Sequence, residues 1–496
     1  MRLVIVFPFF LYLAVVLIFA FKSRRVMDQQ LAGGKSFLEE YFVAGRGLGG
    51  IVLAFTFLAT FASAGTFIGY PGFAYKNGLT VVMTGINQIT MVFLTFGLIG
   101  KRIGQIGRRT GAITFTDLLR NRFDHPLVVV GVVAAILVFF TGFMIGQFAG
   151  AARILETVAG VPYKVGVLIF ALTVLIYTTV GGFRAVAWTD TLQGLVMALG
   201  LILVFPAFVV LGGGFAKITS GLLAQSPDYV FAPGPKSWLH PGMLISFWFL
   251  WVWISVANPA TVMRFLTFKD TASLHKALIV GTIVATLFYI PMFYMGAGIR
   301  TIFPGIHPDQ AIPNTYITAL PGLIAGLALA APFAAVMSTV DSLLLVMASA
   351  LVRDVYQNYI KKDASEKSLQ GLSYGCTLGI GILVLIMTYY PPELIAKWII
   401  YFGGGVTAAF VVPVLSALYW KRATTAGAIC AIFGGFILFV FLDNVWKNPL
   451  HIMSYVWGVL FSLILMVVVS YLTQPQSKGV LELYFGKAKA QAGDAA

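Results

Sequence analysis

Long apolar stretches alternate with short polar segments along almost the whole chain. Each stretch is about 20 residues long, which is the length that an α-helix needs to cross the hydrocarbon core of a bilayer. Thirteen such stretches can be marked, and they begin near residues 3, 48, 80, 127, 162, 188, 240, 276, 321, 371, 394, 424 and 450. The pattern predicts an all-α polytopic membrane protein with about 13 transmembrane helices.

The composition supports this interpretation. Of 496 residues, 59% are hydrophobic and 10% are charged, and the mean hydropathy is +0.91. A soluble domain does not need so much apolar sequence. The first stretch ends in Lys22-Ser23-Arg24-Arg25 and lacks a small-residue cleavage pattern. We therefore interpret it as a retained helix and not as a signal peptide.

The basic residues predict the orientation of the chain. When alternate loops are assigned inward, those loops hold 24 of the 33 lysine and arginine residues, including Arg264, Lys269 and Lys276 after the seventh stretch. Cytoplasmic loops carry such an excess, so we expect an outside N-terminus, a cytoplasmic C-terminus and an odd number of spans. The excess of basic residues in cytoplasmic loops then explains the net charge of +15, and we expect no nucleic acid as a partner.

Two of the stretches are poor continuous helices. The second has a small, hydroxylated middle at 59–66, and the seventh carries Asn258-Pro259, where the proline removes a backbone hydrogen bond. The two stretches stand five apart and so cross the bilayer in opposite directions. This is typical of an inverted repeat in which the first helix of each half is interrupted. The alternative is that the small residues only permit close helix packing.

The repeat divides the chain into five parts. They are an N-terminal extra helix (1–25), a first half of five helices (42–213), a second half of five helices (238–420), two C-terminal extra helices (424–473) and a cytoplasmic tail (474–496). The residues after about Gln474 lack an apolar period, and we expect them to be solvated.

The ninth stretch places polar groups inside an apolar span. At about 100° per residue one face of its helix is shared by four residues, Ala335, Ser338, Thr339 and Ser342. Asp341 lies in the same stretch, and a carboxylate near the bilayer centre costs about 2.5 to 3.5 kcal/mol, so it indicates a functional site. Oxygen atoms on one face suit a small hard cation.

The sequence shows no catalytic constellation. It has neither a His-Glu-x-x-His motif nor a nucleophile elbow, and its five histidines are scattered near predicted loops. Cys376 and Cys430 both lie in apolar stretches, which argues against a disulfide scaffold and a thiolate metal site. We therefore expect a transporter and not an enzyme. A solute sensor that binds without transporting is the alternative of another class.

Several motifs resemble one known family. The most specific are Gly181–Gln193, Ala335–Ser342 and Tyr419–Ala428. On these residues the chain resembles the sodium:solute symporter family over nearly its whole length. Three further segments are most similar to the bacterial pantothenate-transporting members of that family, and they are Glu40–Phe42, Phe67–Leu79 and Gln147–Glu156.

The resemblance implies a fold, a location and an activity. The expected fold is the leucine-transporter type, a 5+5 inverted repeat with extra flanking helices, in the inner membrane of a bacterium. The expected activity is sodium-coupled symport with alternating access, with sodium as the coupling ion. Pantothenate or a similar carboxylate is the expected small-molecule substrate, and another carboxylate or an amino acid such as proline is the alternative. The lipid bilayer is the remaining expected partner, and no oligomeric state follows from the sequence.

The resemblance also implies two ion sites. The shared sodium site of the family corresponds to Ala59, Ala62, Ala335, Ser338 and Thr339. A further cation, which some members hold, corresponds to Asp190, Asp341 and Ser342, with Asp341 where those members carry a hydroxyl. A helix cap is the alternative role for Asp190. A second cation would let the membrane potential contribute to the uptake of an anion, so this site also bears on the sodium stoichiometry.

The organic substrate is expected at the bilayer midplane, beside the two helix breaks and in contact with the second, fourth, seventh and eleventh stretches. Its candidate contacts are Ser63, Thr66, Phe67, Gln147, Trp251, Trp253, Asn258 and Arg153.

Overall fold

α-Helices account for nearly all of the computed structural model, which describes residues 2–34, 36–43, 46–390, 393–446 and 448–486. Within these ranges a single isolated bridge between Leu48 and Phe268 represents β-structure. The helices of the first part are α1 Arg2–Ala32, α2 Phe37–Val43, α3 Gly50–Phe61, α4 Tyr70–Asn77, α5 Val82–Gly85, α6 Asn87–Thr95, α7 Lys101–Thr110, α8 Phe115–Phe123, α9 Pro126–Ala159, α10 Tyr163–Leu211 and α11 Phe215–Gln225.

The helices of the second part are α12 Pro241–Ala257, α13 Pro259–Phe265, α14 Thr271–Gly298, α15 Ala311–Ala319, α16 Gly322–Ala328, α17 Ala330–Ser349, α18 Glu366–Met387, α19 Ile395–Tyr419, α20 Thr425–Asn444, α21 Ser454–Leu472 and α22 Lys478–Phe485. Three segments are π-helical, and they are Gly65–Gly69, Phe96–Gly100 and Ala350–Ile360.

A helix stands at each of the thirteen predicted positions. Nine helices of the described residues are long and apolar enough to cross a membrane, or up to eleven when each of two bent pairs counts as one span. The two further positions hold α1 and the first part of α10, an apolar helix over Tyr163–Thr179. The predicted all-α polytopic membrane architecture is therefore confirmed.

Gly182 separates two predicted spans inside α10. Its φ of 61° and ψ of −168° are not helical, and such angles are accessible essentially to glycine alone. A Cβ atom at this position would also come within 2.5 Å of the Tyr41 ring. The glycine therefore permits both the change of direction and the close packing of α2 against it.

Both predicted helix breaks are present. The helix α3 and the segment Gly65–Asn77 meet at an angle of 57°, and α12 and α13 meet at 51°. In the first break, the Thr66 hydroxyl donates to the Phe61 carbonyl over 3.1 Å. In the second, the Asn258 side chain accepts from the Ala260 amide over 2.8 Å. Side chains thus replace the hydrogen bonds that a continuous helix would make.

The helix α17 lies at the centre of the structure. All of its 20 residues are buried, and it packs against α3, α9, α10 and α18. Large apolar side chains on the outer helices, such as Ile202 and Ile283, are more than half exposed and would lie against lipid. The polar residues of α17 are therefore enclosed by protein on every side.

Residues 478–485 of the predicted tail are helical, and all of them except Tyr484 are exposed or half-buried. These residues form α22, in which Tyr484 is buried and donates a hydrogen bond to the Leu118 carbonyl. The Arg122 guanidinium lies 5.6 Å from the centre of the Phe485 ring. Two adjacent aromatic residues are too few to show a period in the sequence, and yet they are enough to anchor one short helix. Residues 487–496 lie outside the described residues.

Candidate functional site

Hydroxyl groups of α17 meet carbonyl oxygens at the end of α3. The Ser338 hydroxyl donates to the Ala59 carbonyl over 2.8 Å. The Thr339 hydroxyl lies 3.5 Å from the same carbonyl and 3.2 Å from that of Thr60. Both hydroxyls also contact the Ala335 carbonyl, over 3.1 and 3.0 Å. Four of the five predicted sodium ligands therefore lie within one group of buried oxygens, which we call the α3–α17 oxygen group.

Ala62, the fifth predicted ligand, lies at the break itself. Its ψ of 89° is not helical, so its carbonyl does not continue the direction of the α3 carbonyls. The α3–α17 oxygen group consists of neutral carbonyl and hydroxyl oxygens. Unwound carbonyls and hydroxyls of this kind coordinate sodium in broken-helix transporters. The donor set therefore fits a monovalent hard cation.

The three residues predicted for a second cation do not form one ligand set. The Asp341 carboxylate accepts hydrogen bonds from the Tyr177 hydroxyl over 2.5 Å and from the Thr178 hydroxyl over 2.7 Å. It therefore points toward the first part of α10. No hydrogen bond joins Asp341 to Asp190 or Ser342 in the part of the chain that the structure describes.

Asp190 and Ser342 instead share an arginine side chain. The Arg264 Nη2 atom lies 3.1 Å from the Asp190 carboxylate and 2.6 Å from the Ser342 hydroxyl. Its Nε atom donates to the Thr56 carbonyl over 2.9 Å, and the Thr56 hydroxyl donates to Asp190 over 2.5 Å. The Arg264 and Asp190 side chains are 1% and 0% exposed. We call these four residues the Arg264 cluster.

The Arg264 cluster joins four helices, because its members come from α3, α10, α13 and α17. We predicted Arg264 in a cytoplasmic loop, and this prediction is wrong, because its side chain is buried among these helices. The residue stands six positions after Asn258, which corresponds to roughly 9 Å of helix. Half of the hydrocarbon core is about 15 Å thick. The number of residues between the predicted break and Arg264 would therefore have placed this arginine within the membrane.

A small cavity adjoins the α3–α17 oxygen group. Its volume is about 20 Å³, with room for about one water molecule. The residues that line it come from α3 and α12 with the break that follows each of them, and from α9, α17 and α19. They are Thr60, Phe61, Ser63, Phe140, Phe143, Trp251, Ile254, Asn258, Thr339, Leu343, Gly403 and Val406. All four stretches that were expected to contact the substrate therefore line one cavity, and the ninth stretch joins them.

Six of the eight predicted substrate contacts lie in or near the helix breaks. Ser63, Trp251 and Asn258 line the cavity directly. Gln147 accepts a hydrogen bond from the backbone amide of Ala64 in the first break over 2.8 Å. The Thr66 hydroxyl is engaged within the break, as described above. Phe67 is fully buried and packs edge-on against Phe288.

The other two predicted substrate contacts, Trp253 and Arg153, lie away from the helix breaks. Trp253 lines an apolar surface groove formed by residues of α12. The Arg153 guanidinium pairs with Glu156 over 2.8 Å and lies over the Tyr163 ring at 5.3 Å. These contacts fall near the end of α9. Eight cavity residues were not predicted, because apolar helices give no local signal of which face is inward. They are Thr60, Phe61, Phe140, Phe143, Ile254, Leu343, Gly403 and Val406.

Asp309 joins three elements at the far end of the first broken span. Its carboxylate accepts from the Ile395 amide at the start of α19, over 3.4 Å. It also lies against Gly72 of α4, where a Cβ atom would be 3.0 Å from the carboxylate. Burial raises the pKa of Asp309 to about 7, although the Ile395 amide and the Arg153 charge oppose this shift.

Comparisons with known proteins give one consistent result. Residues 41–435 match the sequence model of the sodium:solute symporter family. The chain is 37% identical to the sodium/pantothenate symporter of Escherichia coli (strain K12), and the match covers 94% of this chain and 96% of that protein. It is 27% identical to an osmoregulated proline transporter of Bacillus subtilis (strain 168), covering 90% and 92% of the two chains.

The fold is similar to that of a solved Na⁺-coupled sialic acid symporter in a substrate-bound, outward-open state. The TM-score is 0.78 at 20% identity, and the match covers 96% of this chain and 99% of that one. At this identity the likeness establishes the fold alone. It confirms the predicted leucine-transporter-type architecture. Together with the family match over most of the chain, these findings establish that the protein belongs to the sodium:solute symporter family.

Proposed function

We propose that this protein takes up pantothenate by sodium-coupled symport. The substrate assignment is supported by the 37% identity to a sodium/pantothenate symporter, against 27% to a proline transporter, at similar coverage. One structural observation carries the coupling. Thr60 and Thr339 belong to the α3–α17 oxygen group and also line the cavity. The ion site and the substrate cavity therefore share a wall.

The proposed sodium ligands are Ala59, Ala62, Ala335, Ser338 and Thr339. In the structure the hydroxyls donate to the Ala59 and Thr60 carbonyls, and rotation of their O–H bonds would turn lone pairs toward a cation. A bound ion would hold α3 against α17, because it draws oxygens from both helices. Sodium occupancy would thereby stabilise one relative position of these helices, which is how an ion biases a conformational equilibrium.

The substrate would bind in the cavity beside this group. A volume of about 20 Å³ is far too small for pantothenate, so the helices around the cavity must separate to admit it. Polar contacts are available from Ser63, Asn258 and Gln147, and the aromatic ring of Trp251 forms one wall.

We further propose a bacterial inner-membrane location with the N-terminus outside and the C-terminus in the cytoplasm. The excess of lysine and arginine in alternate loops supports this orientation. Arg102 and Arg122 lie against the docked helix α22 through the Phe485 ring, at 5.2 and 5.6 Å. The C-terminal segment therefore packs on the face that carries these basic residues.

Uptake into proteoliposomes tests the proposal. Labelled pantothenate should accumulate when sodium is higher outside than inside, and the accumulation should collapse when sodium is equal on both sides. Excess unlabelled pantothenate should compete with the label, and excess proline should not. Competition by proline alone would reassign the substrate, and binding of pantothenate without accumulation would indicate a solute sensor.

A further inference from the structure

We infer that Arg264 takes the place of a second sodium ion, so that the protein carries one sodium with each substrate anion. This inference rests on the proposed sodium-coupled uptake and adds its stoichiometry. The observation behind it is the position of the Arg264 guanidinium. It lies between the carboxylate and the hydroxyl that were predicted to bind a second cation.

The geometry of the Arg264 cluster is that of an occupied cation site. The guanidinium contacts a carboxylate oxygen of Asp190, the hydroxyl of Ser342 and both oxygens of Thr56, over 2.6 to 3.1 Å. It also donates to the Ala260 carbonyl over 3.0 Å. These are carboxylate, hydroxyl and carbonyl oxygens, which are also the ligand types of a hard cation. The arginine therefore satisfies this oxygen set with its own fixed charge.

Charge and burial together argue against a sodium ion beside it. Asp190 supplies one negative charge, and the guanidinium balances that charge at 3.1 Å. The second carboxylate whose charge acts on Arg264 is Asp341, and it accepts hydrogen bonds from Tyr177 and Thr178 instead of from the guanidinium. The side chains of Arg264 and Asp190 are at most 1% exposed, so bulk water does not screen a second positive charge. An arginine remains protonated inside proteins, so it does not leave the site as a neutral group.

The Arg264 cluster is connected to the α3–α17 oxygen group but is distinct from it. The Ser342 hydroxyl accepts from Arg264 and donates to the Ser338 carbonyl over 2.9 Å. The residue before Ser342 on α17, Asp341, is held by the Tyr177 and Thr178 hydroxyls of α10. The α3–α17 oxygen group thus keeps its own neutral ligands, while the Arg264 guanidinium fills the neighbouring cation position.

The consequence for energetics is specific. One sodium ion with one pantothenate anion moves no net charge, so the membrane potential does not drive accumulation. With a second sodium ion, one net charge would cross, and 100 mV would be worth about 2.3 kcal/mol. This corresponds to a roughly 40-fold higher accumulation ratio at equilibrium.

The first test uses the unaltered protein in two measurements. Binding of ²²Na⁺ to the purified protein should saturate at one ion per chain. The steady accumulation ratio of labelled pantothenate in proteoliposomes should not change when a potential of 100 mV, inside negative, is imposed. Two bound ions, or a roughly 40-fold rise in accumulation, would overturn the inference.

The second test removes the fixed cation. Arg264→Ala leaves Asp190 without its positively charged partner, so a second ²²Na⁺ should bind, and accumulation should become dependent on the potential. Arg264→Lys keeps the charge and should remain at one ion. Arg300→Ala is the matched control, since Arg300 bonds to Gln225 and to the Tyr75 carbonyl at the other end of the fold; it too should remain at one ion.

Arg264→Gln is a second neutral variant for the case in which the alanine variant does not fold. Its amide can still bond to Thr56 and Ser342, although the charge is gone. It should also bind two sodium ions. A single bound ion in each folded neutral variant would overturn the assignment of Arg264 to this role. The ion count does not depend on which solute is carried, so failure of pantothenate uptake with one bound ion would refute the proposed substrate and leave this inference standing.

Discussion

Removal of the Ser338 hydroxyl should weaken the binding of sodium without changing the choice of solute. In the structure this hydroxyl lies 2.8 Å from the Ala59 carbonyl and 3.1 Å from the Ala335 carbonyl, so it is already placed among the proposed ligands. A hydrogen bond or comparable contact to a charged group is worth about 1.5 to 3 kcal/mol. Ser338→Ala should therefore raise the sodium concentration for half-maximal uptake by roughly 10- to 100-fold.

The assay is initial uptake of labelled pantothenate into proteoliposomes at a series of sodium concentrations. Ser349→Ala is the matched control on the same helix, because this buried hydroxyl bonds within its own helix, to the Val346 carbonyl over 2.8 Å. The control should keep the half-saturating sodium concentration of the unaltered protein. An unchanged value in both Ser338→Ala and Thr339→Ala would refute the assignment of these hydroxyls to the ion.

Three further predictions concern stability, measured on the purified protein in detergent. The pKa of Asp309 is raised to about 7 from the ordinary aspartate value near 3.9, so its ionisation disfavours the folded state, and the protein should lose up to about 4 kcal/mol of stability as the pH rises from 4 to 8. Asp309→Asn should lack this component, and an identical pH profile in the variant would contradict the explanation. Gly182→Ala should lower the melting temperature through a strained backbone costing about 1 to 3 kcal/mol, whereas Gly379→Ala, with open space around its Cβ, should not; equal effects would refute the strain. Tyr484→Ala should cost about 3 kcal/mol and speed hydrogen exchange in α22, and unchanged exchange would show that the ring does not anchor this helix.

The sequence predicts the helices and their breaks because both depend on local signals. An apolar stretch of 20 residues has few stable structures in lipid other than a helix. The Asn258-Pro259 pair and the hydroxyls near Ala62 likewise interrupt the helix through their own backbone and side-chain chemistry. The oxygen face of α17 was visible for the same reason, since Ser338 and Thr339 lie on one helix face by periodicity alone.

The contacts between distant segments could not be read in this way. Arg264 and Asp190 are 74 positions apart, and Tyr177 and Asp341 are 164 apart. Nothing in the local pattern assigns either carboxylate to its partner. A count of basic residues treats every arginine near the end of a span as a loop residue. For this reason the buried Arg264 was counted among the cytoplasmic loop charges.

Sodium-coupled uptake can be measured as the accumulation of labelled pantothenate in proteoliposomes. We expect accumulation above the outside concentration when sodium is directed inward, and equilibration to equal concentrations when the sodium gradient is absent. Equal accumulation with and without a sodium gradient, or no accumulation by protein whose folding has been verified, would contradict this expectation.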